Sequence, residues 1–165
     1  DFGNLTRVRG GAACFASPVR GIMAVGEGAS DNTIDYITIM TTGDAVDFGD
    51  LSKGYTTSAS SGGGNATRGL VIGGYQNPAR VNNIDYLTIS TLGNTIDFGD
   101  LITGTNSAAA VSSPTRAVNG AGYTSSQTNT MNSIEIPTTG NALDFGDLDY
   151  ARWSLGSCSN AHGGL

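Results

Sequence analysis

Asp-Phe-Gly occurs four times in this 165-residue chain, starting at Asp1, Asp47, Asp97 and Asp144, so that successive copies stand 46, 50 and 47 residues apart. A period of this size constrains the fold more than any single motif, because each unit is one supersecondary module that buries its apolar face only by stacking on neighbours. It also removes the first chemical reading. Asp-Phe-Gly holds magnesium in protein kinases, but only beside a glycine-rich loop, a strand lysine and a His-Arg-Asp loop. The single lysine, Lys53, and the single histidine, His162, stand in neither context. A catalytic metal ligand is not needed four times in one small domain.

Whole segments align behind the tripeptide. "TIDYITIMTTGDAVDFGDL" (Thr33 to Leu51) matches "NIDYLTISTLGNTIDFGDL" (Asn83 to Leu101) and, more loosely, "TMNSIEIPTTGNALDFGDL" (Thr130 to Leu148). The third copy carries Asn132 and Ser133 in place of Asp-Tyr and Pro137 in place of Ser90, which predicts a shorter or more peripheral strand. Each unit reads as four short strands. "RGLVIGGY" (Arg68 to Tyr75) is echoed from Arg20 and Arg116; "IDYLTIS" (Ile84 to Ser90) is rich in β-branched and aromatic residues; a turn follows at Leu92, Gly93 and Asn94. "TIDFGDL" (Thr95 to Leu101) comes at hairpin spacing, and the fourth strand falls in small-residue stretches such as "GYTTSASSG" and "TNSAAAVSS". No helical apolar period runs for a useful length, so the class is all-β. Ile84 and Tyr86 point to one face and Leu87 and Ile89 to the other, the pattern of a sheet covered on both sides.

An Arg-led strand ending in Gly-Gly, a variable loop, an apolar strand, a turn, and an aromatic residue three before a Leu together resemble the kelch repeat. Phe48, Phe98 and Phe145 stand where that family usually has Trp, with Leu51, Leu101 and Leu148 three residues on. The wording of the repeat is similar to that of repeats in virion and tail-fibre proteins of marine bacteriophages. The resemblance implies a kelch-like β-propeller of about three full four-stranded blades plus partial terminal blades. Residues 1–165 form one repeat domain with units 1–46, 47–96, 97–143 and a partial 144–165. A start at Asp1 rather than Met, and a last unit short by half a blade, lead to the expectation of a piece of a longer repeat chain. The alternative is a small ring closed alone or with copies of itself.

Charged residues make up 13% and glycines number 25, against about 25% charged and about 7% glycine in ordinary domains. Ser and Thr supply 35 residues, a neutral polar surface that suits virion or extracellular proteins. A net charge of −6 argues against nucleic acid as a partner, and no apolar run approaches the length of a membrane span. Cys14 and Cys158 offer no metal spacing and read as small buried side chains.

The acidic pairs Asp47/Asp50, Asp97/Asp100 and Asp144/Asp147 lack the further oxygens calcium requires, and the repeat gives each pair the same environment, which suits no acid–base couple. They read as carboxylates bonding nearby backbone N–H groups around a glycine bulge. One histidine excludes the copper-oxidase chemistry of some kelch-like propellers, and no other catalytic motif or cofactor signature replaces it. What remains is binding, through the loops that differ between repeats: Glu27 to Asn32, Tyr75 to Asn82 and Tyr123 to Thr130. Tyr75, Gln76, Asn77, Arg80, Tyr123 and Gln127 suit sugars, by stacking and paired hydrogen bonds. The expected function is therefore non-catalytic, in host attachment or particle decoration, with other virion proteins, copies of the chain or a host surface glycan as partners. The alternatives are an extracellular lectin-like propeller and a fragment of an enzyme whose active site is elsewhere.

Arg20, Arg68 and Arg116 recur in register, with His162 in the fourth place, and a repeating arginine is a strut bonding backbone carbonyls or the repeat's Asp carboxylates. Substituting Arg68 by Ala is expected to lower the melting temperature without removing any single activity. An unchanged melting temperature would count against the strut.

Overall fold

The computed structural model of the chain describes residues 1–26, 31–55 and 61–159. They form three four-stranded antiparallel sheets and no helix. Sheet 1 is β1 (Ala13–Ala16), β2 (Arg20–Ala24), β3 (Asp31–Thr38) and β4 (Val46–Tyr55). Sheet 2 is β5 (Ser61–Gly64), β6 (Arg68–Gln76), β7 (Ala79–Thr88) and β8 (Ile96–Asp100). Sheet 3 is β9 (Ala109–Ser112), β10 (Arg116–Gly120), β11 (Thr128–Glu135) and β12 (Leu143–Arg152). Strand order follows chain order in each, so every connection is between neighbours and no strand crosses over. The small-residue strands β1, β5 and β9 lie side by side, and the Asp-Phe-Gly strands β4, β8 and β12 form the opposite edges.

Sheet 2 is covered on both faces. Leu70, Ile72, Ile84, Phe98 and Leu101, with Tyr86 at the margin, pack against Ala110, Ala117, Ile134 and Ile136 of sheet 3. Val71, Leu87 and Ile89 pack against Ala13, Ile22, Ile34, Phe48 and Leu51 of sheet 1. The bulge in each outer strand makes this packing possible. Two residues three apart on a regular strand point to opposite faces. In β4 the register steps from Ile34↔Gly49 to Asp35↔Asp47, leaving Phe48 as the extra residue; Phe98 and Phe145 are the extra residues in β8 and β12. The step brings Phe48 and Leu51 into one cluster, and Phe98 and Leu101 into the other.

Consecutive sheets are joined by a repeated set of polar contacts. Gly93 and Thr95 donate their N–H groups to the Phe48 and Asp50 carbonyls at 2.9 Å each, and Gly140 and Ala142 donate to Phe98 and Asp100 at 2.8 Å each. The side chain of the turn closes the joint: Asn94 Oδ1 accepts Asp50 N–H, and Asn141 Oδ1 accepts Asp100 N–H, both at 3.0 Å. Residues 1–5, which belong to no sheet, dock on the turn of sheet 1 in the same way. Gly43 and Ala45 donate to Phe2 and Asn4, and Asp44 Oδ1 accepts Asn4 N–H at 2.9 Å. Gly49 and Gly99 take φ of +144°, and a Cβ on either would collide with the backbone of Gly93 or Gly140. The glycine of the tripeptide is required for this close approach as well as for its dihedral.

Arginines span the same joints. Arg20 Nη1 donates to the Ile89 carbonyl at 2.8 Å and Arg68 Nη1 to the Ile136 carbonyl at 2.7 Å, each bridging from its own sheet to the next. Their guanidiniums lie 4.8 Å and 4.5 Å from the Tyr36 and Tyr86 ring centroids. Those tyrosines meet Phe48 and Phe98 edge to face.

Sheet 3 departs from the repeat. Phe145, expected to pack like Phe48 and Phe98, is 48% exposed where they are 3% exposed, because no described sheet covers that face and Ser133 replaces the stacking tyrosine. Arg116 pairs with Glu135 in its own sheet at 2.8 Å, both side chains about half exposed. β11 is as long as β3 and is flanked on both sides, so the shorter strand expected from Pro137 is not formed; the proline falls beyond Glu135, where no ladder N–H is needed. The Tyr75 to Asn82 loop is also corrected: Gly74↔Val81, Tyr75↔Arg80 and Gln76↔Ala79 are strand pairs, leaving Asn77 and Pro78 as the hairpin tip.

The same substitution should therefore have different costs in different repeats. Phe98→Ala is expected to destabilise by about 3–5 kcal/mol in urea unfolding, and Phe145→Ala by less than about 1 kcal/mol. Equal losses would show that the two rings share an environment.

Candidate functional site

The ladder pair Tyr75↔Arg80 at the end of the β6–β7 hairpin sets the geometry of the strongest candidate site. Side chains directly opposite on antiparallel strands share a face, so Tyr75 and Arg80 meet while Gln76 is turned to the other side. Arg80 Cζ lies 5.4 Å from the Tyr75 ring centroid and 4.6 Å from that of Tyr123, which follows β10. Arg80 Nε donates to Asn106 Oδ1 at 3.1 Å, fixing the plane of the guanidinium between the rings. Tyr123 continues to Trp153, just past β12, with centroids 5.7 Å apart and planes inclined by 53°. Backbone bridges to Asn106 and Gln127 hold Tyr123 in place.

The result is a surface ladder, Tyr75–Arg80–Tyr123–Trp153, drawn from sheets 2 and 3. The tyrosines and arginine are half-buried and Trp153 is 49% exposed, so one end of the ladder presents an open aromatic face. Such a surface offers apolar ring faces to the C–H side of a sugar, with guanidinium and amide groups at the edge for its hydroxyls. Tyr75 Oη donates to Asn77 Oδ1 at 3.4 Å, which places Asn77 beside the ladder. Gln76 and Gln127 are exposed nearby but are not part of the stack. Trp153 and Asn106 were not singled out from the sequence. The only tryptophan of the chain, five residues beyond Leu148, was the available signal. Residues 27–30 of the first variable loop, and His162, lie outside the described residues.

The acidic pairs lie in the bulged strands, where Asp144 Oδ1 accepts Gly146 N–H at 3.1 Å; in the terminal segment outside the sheets Asp1 Oδ1 accepts Gly3 N–H in the same way at 3.3 Å. Among the described residues no group of three or more His, Cys, Asp or Glu side chains is arranged to hold a metal ion.

A second candidate is a cavity of about 410 Å³ between the inner strands and residues 157–159. Its walls are small, among them Gly62, Gly63, Ala110 and Ser112. Ser112 Oγ accepts Gly64 N–H at 3.2 Å and Ser159 Oγ accepts Ser112 N–H at 3.1 Å, so the terminal segment continues the series of inner strands. Cys14 and Cys158 both line this cavity as free thiols and are exposed, which corrects the expectation of buried side chains. Strand alternation is the reason, since Ala13 takes the core side of β1 and Cys14 the cavity side.

Comparison with protein families and with curated proteins finds no match.

The surface that Cys14 exposes faces the cavity walls, and burial there pushes its thiol above the ordinary value, favouring the neutral form. Alkylation of Cys14, followed by peptide mass against pH, is expected to show a higher midpoint in the folded chain than in the urea-unfolded chain. Coincident midpoints would refute the effect.

Proposed function

We propose that this chain is a non-catalytic, kelch-like propeller segment of a virion surface or tail-fibre protein, acting in attachment or particle decoration by binding carbohydrate. The observation that carries the reading is the Tyr75–Arg80–Tyr123–Trp153 ladder. Arg80 comes from a stretch that differs between units, Tyr75 and Tyr123 hold equivalent places after the glycine pairs of two units where the first has Glu27, and Trp153 is the single tryptophan of the sequence. Recognition placed at variable positions on a fixed frame is the usual arrangement for binding proteins. The stacked series of sheets with small inner strands supports the propeller part of the reading. The virion part is supported by the wording of the repeat. An extracellular lectin-like propeller would use the same ladder in the same way.

A glycan array probed with the parent chain, Trp153→Ala and Tyr123→Ala tests the site. Loss of one aromatic stacking contact is expected to weaken binding about tenfold, with the melting temperature of Trp153→Ala unchanged. Binding by the parent that is indifferent to both substitutions would overturn the assignment. Mass spectrometry of purified particles separates the virion reading from the lectin one.

A further inference from the structure

The three occupied joints define what a joint requires, and β12 carries the outer-strand half of a fourth. Phe145 stands where Phe48 and Phe98 stand, yet is 48% exposed. Gly146 keeps the positive φ of the series, +121°, but a Cβ on it would meet nothing within 4 Å, whereas one on Gly3, Gly49 or Gly99 would strike the next turn. Arg116 stands where Arg20 and Arg68 reach across to the next sheet, and is turned back onto Glu135. The two Gly-Asn turns that lead into a bulged fourth strand among the described residues, at Gly93 and Gly140, are already engaged by Phe48 and Phe98.

Charge specifies the missing half. At the two joints whose outer strand carries aspartate, Asp50 and Asp100, the facing turn carries neutral Asn94 and Asn141. At the joint whose outer segment carries neutral Asn4, the turn carries Asp44. No joint sets two carboxylates against each other. The next position follows a related rule. Thr6 and Ser52 give both N–H and hydroxyl to the buried carboxylates of Asp35 and Asp85, at 2.6–3.1 Å, whereas Ile102 gives only N–H, to Asn132 at 3.4 Å. In β12 these two positions are Asp147 and Asp149. Sheet 1 of a second copy would bring Asp44 to Asp147 and Asp35, which Arg9 already pairs at 3.0 Å, to Asp149, and its turn is already held by residues 1–5.

We propose that the β12 edge is a docking surface for a further sheet of this repeat type. Its turn carries Gly-Asn and its third strand a neutral or basic residue in place of Asp85, and the edge rejects sheet 1 of a second copy by charge. The inference is independent of the glycan reading, because it uses none of the ladder residues.

Reversing the charge rule in the full chain tests it. Gly3→Val places a side chain against the Gly43 carbonyl and evicts residues 1–5, exposing an Asp44-type turn. Asp147→Asn with Asp149→Thr then gives β12 the Asn4/Thr6 pattern that suits that turn. Sedimentation is expected to show the parent and Gly3→Val as monomers, the triple variant as concentration-dependent head-to-tail assemblies, and the triple variant with Phe145→Asp as a monomer again. Far-UV circular dichroism identifies folded variants, and faster amide exchange at Gly43 and Ala45 reports the opened turn. If the Gly3 variants fail to fold, Phe2→Ala replaces Gly3→Val in the same series. A folded triple variant that remains monomeric, assembly indifferent to Phe145, assembly of Gly3→Val alone, or unchanged exchange at Gly43 would each overturn the proposal.

Discussion

The hydrogen bonds that the turn of each following sheet donates to the carbonyls of an Asp-Phe-Gly-Asp strand are the contacts on which the arrangement depends. Each such bond is worth about 1 kcal/mol net, small beside the burial of Phe98, Leu101, Leu70 and Ile72 at the same boundary. Their importance is geometric. Apolar side chains drive two sheets together without fixing their register, whereas two backbone bonds and an asparagine cap admit one offset. Ile136 is fully buried against sheet 2 while Ile39, its equivalent on the outward face of sheet 1, is 40% exposed. A residue's environment in this fold is set by whether a neighbouring sheet is present.

That dependence explains what could be read from the sequence. Strand identity follows from β-branched residues within three aligned 19-residue segments, and the placing of Ile84 and Leu87 on opposite faces follows from alternation. Phe145 could not be distinguished from Phe98, because identical local sequence sits on an interior boundary in one case and an outer one in the other. Cys14 illustrates a different limit: alternation separates it from Ala13, but not whether its side faces protein or a cavity.

The candidate site was legible in its members and not in its construction. Tyr75, Arg80 and Tyr123 were marked by loop variability and residue type, yet the segment carrying Tyr75 and Arg80 is a strand pair, and strand pairing is what aligns the two side chains. Trp153 joins from the far side of β12, a relation between repeats that no window of sequence contains. The same holds for Arg9, whose buried guanidinium lies 3.0 Å from Asp35 and compensates its carboxylate; the equivalent Asp85 is instead bonded by Ser52, Asn83 and Thr95, and sheet 3 has neutral Asn132 there.

Near-identical repeats carry a hazard during folding, since a strand from one unit can occupy the place meant for another. The alternation of Asn4/Asp44 with Asp50/Asn94 and Asp100/Asn141 bears on that problem. An outer strand bearing Asp50 or Asp100 that strays to the turn at Gly43 meets a carboxylate and is turned away, while the Asn4 segment is accepted there. A single difference in charge thus marks one end of an otherwise repetitive series of joints.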